Sequence, residues 1–248
     1  MKKANFGFKE VEETKKEKLV QNVFTTVASK YDIMNDVMSF GLHHIWKDMV
    51  IEEIKPKYYD TLLDVACGTG DISRKFLEAG GKEAYLCDLN QAMLDAGKQK
   101  MLDEYAYLNN KMHYICGNAE NLPFEDNSFE YYTISFGIRN VTHIDKALKE
   151  AHRVLKKGGK FICLELCSTH EGLIRKFYDF YSFKVIPKIG KMITGSEDSY
   201  SYLVESIRKF PKPEKFSLMI EQAGFDNIKY KTLTFGVVAI HTAYKVRD

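Results

Sequence analysis

The segment Thr61-Leu-Leu-Asp-Val-Ala-Cys-Gly-Thr-Gly-Asp71 constrains this chain more than any other. Its short apolar run reads as a buried strand, and a turn with two glycines follows at once. From Ile72 to Ala79 the pattern is helical. Strand, glycine turn and helix in that order make a corner of a parallel α/β sheet, with a helix N-terminus behind the turn. Gly68 and Gly70 let the backbone bend tightly and approach a ligand with no side chain in between. Asp88 ends the next apolar run, 18 positions after Gly70. A carboxylate there can accept hydrogen bonds from both hydroxyls of a ribose. Turn and acid together point to a cofactor that contains adenosine.

Two common nucleotide turns are excluded. A dinucleotide turn needs a third glycine where Ser73 stands, and a P-loop needs Gly-Lys-Ser/Thr after the turn. Downstream, Ala84–Asp88, His113–Cys116, Tyr131–Ser135 and Phe161–Glu165 read as strands. Ala92 to Tyr105 and Ile144 to Leu155 read as helices between them. Phe225 to Tyr244 adds two strands with a turn near Gly236, which makes seven. Buried-looking strands alternating with helices predict an α/β fold, a mostly parallel seven-stranded sheet with helices on both faces.

Ahead of the sheet, apolar residues recur at helical spacing from Leu19 to about Lys55, broken at Phe40-Gly41 and closed by Pro56. Residues 1–18 are charged and read as frayed or loosely helical. Residues 170–215 interrupt the strand–helix rhythm with Phe177, Tyr178, Phe180, Tyr181 and Phe183, then Tyr200 and Tyr202. They read as a helical insertion. The expected organisation is a single domain, 1–248. It divides into an N-terminal helical segment (1–56), a cofactor-binding core (57–169), the aromatic insertion (170–215) and C-terminal strands (216–248).

A chain of 248 residues buries enough surface to hold a core without disulfides or metal, and no metal centre is expected. With 36 Lys+Arg against 34 Asp+Glu the net charge is only +2, so no basic field exists to grip nucleic acid. Five cysteines form no Cys-x-x-Cys pair. Cys67, Cys87, Cys116 and Cys163 sit in apolar runs and read as buried thiols, which suits a reducing cytoplasm. Met1 to Leu19 lacks the apolar stretch of a signal peptide, and no apolar run approaches the ~18 residues of a membrane span.

The glycine turn resembles that of class I S-adenosylmethionine-dependent methyltransferases, Asp/Glu-x-Gly-x-Gly-x-Gly, with Ala66 at the first glycine. Gly117-Asn-Ala-Glu120 follows the third strand, where that class places the adenine. A narrower resemblance is longer. Tyr31-Asp-Ile-Met-Asn-Asp-Val-Met-Ser-Phe-Gly-Leu-His-His-Ile-Trp-Lys47 is similar to the N-terminal signature of the UbiE/MenG family. Ser135-Phe-Gly-Ile-Arg-Asn-Val-Thr142 and Arg153-Val-Leu-Lys-Lys-Gly-Gly-Lys-Phe-Ile-Cys-Leu-Glu165 resemble its two other hallmark segments. His44 stands where the signature usually has Arg, and Cys67 where it usually has Gly.

The family comprises quinone-ring C-methyltransferases of ubiquinone and menaquinone biosynthesis. The resemblance implies a Rossmann-like class I methyltransferase with an N-terminal helical lid. It implies S-adenosyl-L-methionine as cofactor and a polyprenylated quinol as substrate. It places cofactor contacts on Thr69, Asp88, Asn118, Ala119 and Ser135, with Gly68 and Gly70 in the turn. Arg139 and Asn140, after the fourth strand, are candidates beside the reacting ring. Arg139 either stabilises a developing phenolate or orients a water; equally, it pairs with a carboxylate and fixes its loop. His43 and His143 are the conventional bases by pKa, though loop hydrogen-bonding is the commoner role. Asp71 suits support of the turn or the methionyl amino group, and Glu165 a wall carboxylate.

Trp46 and the aromatic 177–183 stretch are candidate walls for an isoprenoid tail, or a contact with a membrane surface. Expected partners are therefore the quinol, a membrane surface and a second copy of the chain, with no nucleic acid. The expected location is cytoplasmic, peripheral on the cytoplasmic face of the inner membrane. Two alternatives remain: a class I methyltransferase acting on RNA, protein or another small molecule, and a non-catalytic cofactor-binding subunit of a quinone-biosynthesis assembly. An Asn/Asp-Pro-Pro-Tyr/Phe site and a Pro-Cys nucleophile are both absent, which weighs against a nucleic-acid substrate.

Overall fold

Leu62 and Leu63 are adjacent and both fully buried, yet they pack into different apolar clusters. Successive strand side chains point to opposite faces, so a strand of this kind must be covered twice. Ile162 and Leu164 divide from Phe161 and Cys163 in the same way. The computed structural model, which describes residues 3–167, 181, 188–189 and 197–247, shows how the chain covers both faces.

The chain opens with β1 (Lys3–Phe6) and β2 (Lys9–Glu12). Then come α1 (Glu13–Val27), α2 (Tyr31–Ser39) and α3 (His43–Ile54). The core alternates β3 (Thr61–Val65), α4 (Asp71–Glu78), β4 (Glu83–Asp88), α5 (Gln91–Glu104) and β5 (Met112–Cys116). It continues with β6 (Phe129–Ser135), α6 (Ile144–Val154) and β7 (Leu155–Leu166). Last are α7 (Glu197–Lys209), α8 (Pro213–Gln222), β8 (Asp226–Leu233) and β9 (Val238–Tyr244). Residues of α3, α4, α5 and α7 join one apolar cluster, and those of α6 and α8 the other.

Seven strands run in the order β5-β4-β3-β6-β7-β9-β8. The first five in that order are parallel, and β9 is antiparallel to both β7 and β8. From β3 the chain steps outward through β4 to β5, then returns to the other side of β3 as β6. That reversal parts the loops at the strands' carboxyl ends, and ligands of open α/β sheets bind in such a crevice.

Three expectations need correction. The charged start is not frayed: β1 and β2 pair in register, and Phe6 stacks on Tyr202 of α7 at 4.2 Å. The Phe8 N–H donates to Glu205 at 2.9 Å, so α7 anchors the hairpin. Cys116 is exposed, whereas Cys87 and Cys163 are buried, because β5 is the edge of the sheet and Cys116 its last residue. Strand β7 begins at Leu155 rather than Phe161. Of the aromatic stretch 177–183, only Tyr181 lies within the described residues; its hydroxyl donates to Val37 O at 2.6 Å.

Candidate active site

The turn after β3 is built by backbone geometry. Ala66 and Gly68 take φ values of +50° and +58°. The second is glycine's natural territory, and the first is strained for an alanine. Gly137, after β6, answers that strain: a Cβ on it would meet the Ala66 Cβ at 2.4 Å. Helix α5 presses close on the other side, where a Cβ on Gly97 would come within 2.9 Å of Thr69 O.

Asp88 closes β4 and faces this turn. Its Oδ2 accepts from Gly68 N–H at 2.9 Å and its Oδ1 from Asn90 N–H at 2.8 Å. A carboxylate has about four lone-pair directions, so two remain for hydroxyl donors. Burial pushes the carboxyl up, and the Asn90, Gly68 and Leu89 N–H groups oppose that rise.

A cleft of about 700 Å³, open solvent included, lies over the turn, lined by Gly68, Asp88, Met93, Asn118, Ala119 and, among others, Tyr31. Asn118, Ala119, Gly68 and Asp88 thus share one wall system. Helix α1 roofs it, through Glu17, Val20 and Phe24. The roof is tied down by Asn90 Nδ2, which donates to Gln21 O and Thr25 Oγ1, both at 2.9 Å. Lys16 Nζ donates to Val141 O at 2.9 Å.

Thr69, Gly70 and Ser135 do not line this cavity. The Thr69 hydroxyl donates instead to Asp32 Oδ1 at 3.2 Å. Ser135 Oγ is buried with no partner among the described residues. Asp71 opens α4 and holds Lys47 at 2.7 Å and Lys100 at 3.1 Å. Burial alone would raise its pKa, but the two ammonium groups hold it well below the usual carboxylate range. Lys100 also pairs with Asp32 at 2.6 Å, so the network links α2, α3, α4 and α5 beneath the turn.

A second pocket, about 380 Å³ with open solvent included, abuts the first and is mostly apolar. Phe24, Tyr31 and Phe136 line both, so three aromatic rings form the partition. Met34, Met38 and Trp46 extend the apolar wall, and His43 and Arg139 are its main polar features. Phe136 holds a left-handed backbone, φ +57°. Strain of that kind persists only where the surroundings enforce it, and it gathers at functional sites.

Arg139 is 4 % exposed and pairs with Glu165 at 2.6 Å. It also donates to Phe136 O at 2.6 Å and to Ser206 Oγ at 3.3 Å. Arg139 therefore fixes its loop through a carboxylate and still borders the cavity. Glu165 is no open wall carboxylate, since Arg139 and the Leu166 N–H occupy it. Burial nevertheless pushes its pKa up, against the pull of Arg139.

Asn140 lines the first cavity; Tyr202 donates to its Oδ1 at 3.0 Å, and its Nδ2 is buried with no partner among the described residues. His43 bonds Asp36 Oδ1 through Nε2 at 2.9 Å, and its Nδ1 is likewise buried and unpartnered. Burial, with Lys47 nearby, lowers its pKa to about 4, so the ring is neutral near pH 7. His143 lines neither cavity itself; it is bonded at 2.7 Å to Glu120, which lines the first, and lies 3.4 Å from Glu13. It latches α1 to the loop after β5.

Phe24, Met93, Phe136 and Gly137 are wall residues that motif reading does not reach. Asn90, the N-cap of α5, places Met93, and the Ser135–Thr142 segment contains Phe136 and Gly137 without marking their role. Phe24 carries no signal beyond helical spacing.

A sheet in this order, an acid at the end of its second parallel strand and a roofed cavity at the switch point define a Rossmann-like methyltransferase. Solved structures share the fold at low identity. A possible histamine N-methyltransferase of Thermotoga maritima matches with a TM-score of 0.65 and 18% identity, over 91% of this chain and 99% of that one. A phosphoethanolamine N-methyltransferase of Haemonchus contortus, in complex with S-adenosyl-L-methionine, matches with a TM-score of 0.61 and 17% identity, over 82% of this chain and 52% of that one.

The chain belongs to the ubiE/COQ5 methyltransferase family, whose model matches residues 10–245. Proteins named ubiquinone/menaquinone biosynthesis C-methyltransferase are 52% identical to it. The one from Rickettsia bellii aligns over 99% of this chain and 100% of its own length, and the one from Brucella abortus over 98% and 91%. The chain is an enzyme, a methyltransferase that uses S-adenosyl-L-methionine.

Proposed function

We propose that the enzyme methylates a ring carbon of a polyprenylated quinol in ubiquinone and menaquinone biosynthesis. One observation carries this reading: a cavity edged by Asp88 and an apolar cavity edged by Arg139 share a wall of Phe24, Tyr31 and Phe136. Asp88 would offer its two free lone-pair directions to the ribose hydroxyls. Asn118 and Ala119 would flank the adenine, and Gly68 would let the backbone come close. Thr69, Gly70 and Ser135 lie at the turn and the end of β6 without lining this cavity. The bound cofactor supplies an electrophilic methyl group on a sulfonium.

The chain's own residues do the rest. The apolar cavity would hold the ring against the partition and keep water out; methyl transfer requires the reacting carbon about 3–3.5 Å from the donor. Loss of a phenolic proton, ordinarily near pKa ~10, makes the ring carbon nucleophilic. The Arg139 guanidinium borders the apolar cavity where the phenolate forms, and the unpartnered Asn140 Nδ2 lies on the cofactor side of the partition. His43, oriented by Asp36 on Nε2, offers its unpartnered Nδ1 as a hydrogen-bond acceptor for a ring hydroxyl.

The tail leaves through the α2–α3 end of the cavity. Phe40 and Phe235 are 63% and 79% exposed there. Both hold left-handed φ, 52° and 56°. Trp46 Nε1 donates to Thr234 Oγ1 at 2.9 Å, which brings the two turns together at the start of α3. Exposed aromatic tips on strained turns suit the cytoplasmic surface of a membrane, where the enzyme docks peripherally. Among the described residues no helix is long and apolar enough to cross one.

The test is transfer of labelled methyl from the cofactor to a quinol-containing lipid extract. Label in the quinol supports the reading; label in RNA or protein, or none at all, rejects it. Arg139→Ala should lower kcat strongly with cofactor affinity retained, and an unchanged single-turnover rate removes Arg139 from the chemistry.

A further inference from the structure

The fold of α2 back onto α3 gathers three metal-ligating groups at one point. Asp36 lies on α2, and His43 and His44 open α3. Asp36 Oδ1 is 2.9 Å from His43 Nε2 and 3.1 Å from His44 Nε2. All three ligand atoms lie within 4.8 Å of one another. Two imidazole nitrogens and a carboxylate oxygen are a donor set for a borderline cation. Zinc takes such atoms at about 2.0–2.2 Å, so tetrahedral ligands stand about 3.3 Å apart. The Asp36–histidine spacings reach that value with shifts of only a few tenths of an ångström. We propose that Asp36, His43 and His44 bind a single divalent cation of the zinc type, with water as the fourth ligand.

The burial of the three groups suits this. The His43 side chain is 2% exposed, against 53% for His44 and 49% for Asp36. One ligand is fixed in the fold, and the other two stand at the surface where an ion enters.

The experiment uses metal-free full-length protein carrying Cys116→Ser, which removes the exposed thiol as a competing ligand. Co²⁺ is titrated and its visible d–d spectrum followed, with Zn²⁺ as competitor. The expected result is one tetrahedral Co²⁺ per chain, displaced by Zn²⁺. Affinity should fall by more than ~10-fold in both His44→Ala and Asp36→Asn, at unchanged circular dichroism. A missing tetrahedral spectrum, or parent-like affinity in both variants, overturns the site.

Discussion

Ala66 and Gly137 are two halves of one constraint. The first carries a Cβ on a left-handed turn residue, and the second lacks one where the two would collide at 2.4 Å. Gly137→Ala should therefore cost about 1–3 kcal/mol, the usual penalty of overpacking. Adding Ala66→Gly should recover most of that loss, because it removes the colliding atom. Urea unfolding midpoints measure both steps, and an unchanged midpoint in Gly137→Ala alone contradicts the packing. Asp64, beneath the same turn, gives a pH signature. Thr133 and Ser73 hydroxyls donate to it at 2.8 and 2.9 Å, but burial still raises its pKa from 3.8 to about 6. The folded state thus holds a proton that the unfolded state has released, and this group's contribution to stability falls as pH rises from about 4 to 6. Asp64→Asn has no such proton to lose. It should gain on the wild type by up to about 3 kcal/mol between pH 4 and pH 7. A gap that does not change with pH contradicts the assignment.

Helix α1 is the element that makes the cofactor cavity a closed site. Asn90, Lys16 and His143 hold it by polar contacts, and Val20, Val23, Phe24 and Val27 pack it on the apolar cluster. Hydrogen exchange over residues 13–27 should slow when S-adenosylhomocysteine is bound, and equal exchange with and without it contradicts a roofing role. This element also shows where the sequence stops being legible. The β3 turn and Asp88 could be read because strand, glycine and acid lie close together in the chain, and their chemistry is local. The hairpin ahead of α1 could not, because Lys9-Glu10-Val11-Glu12 has no apolar alternation and owes its strand form to a remote partner, α7. Likewise the Ser135–Thr142 segment marks Arg139, while its pairing with Glu165 needs β6 and β7 side by side.

At the scale of the molecule, the cofactor cavity sits at the sheet's switch point and the apolar cavity shares a wall with it. Phe40 follows Met38 and Ser39, which line the apolar cavity, and Phe235 follows Thr234, which the cavity residue Trp46 holds. A net charge of +2 gives little long-range pull toward an anionic surface, so docking rests on apolar insertion. The protein should sediment with vesicles with only weak dependence on salt. Phe40→Ser with Phe235→Ser should abolish sedimentation and leave cofactor affinity intact. Vesicle binding that survives both changes contradicts this docking face.

The most direct measurement is a crystal structure of the enzyme with S-adenosylhomocysteine. The ribose hydroxyls should lie on the Asp88 carboxylate, the adenine beside Asn118 and Ala119, and the sulfur toward the Phe24–Tyr31–Phe136 partition. A nucleoside lodged in another cavity, or one that leaves Asp88 bonded only to Gly68 and Asn90, would contradict it.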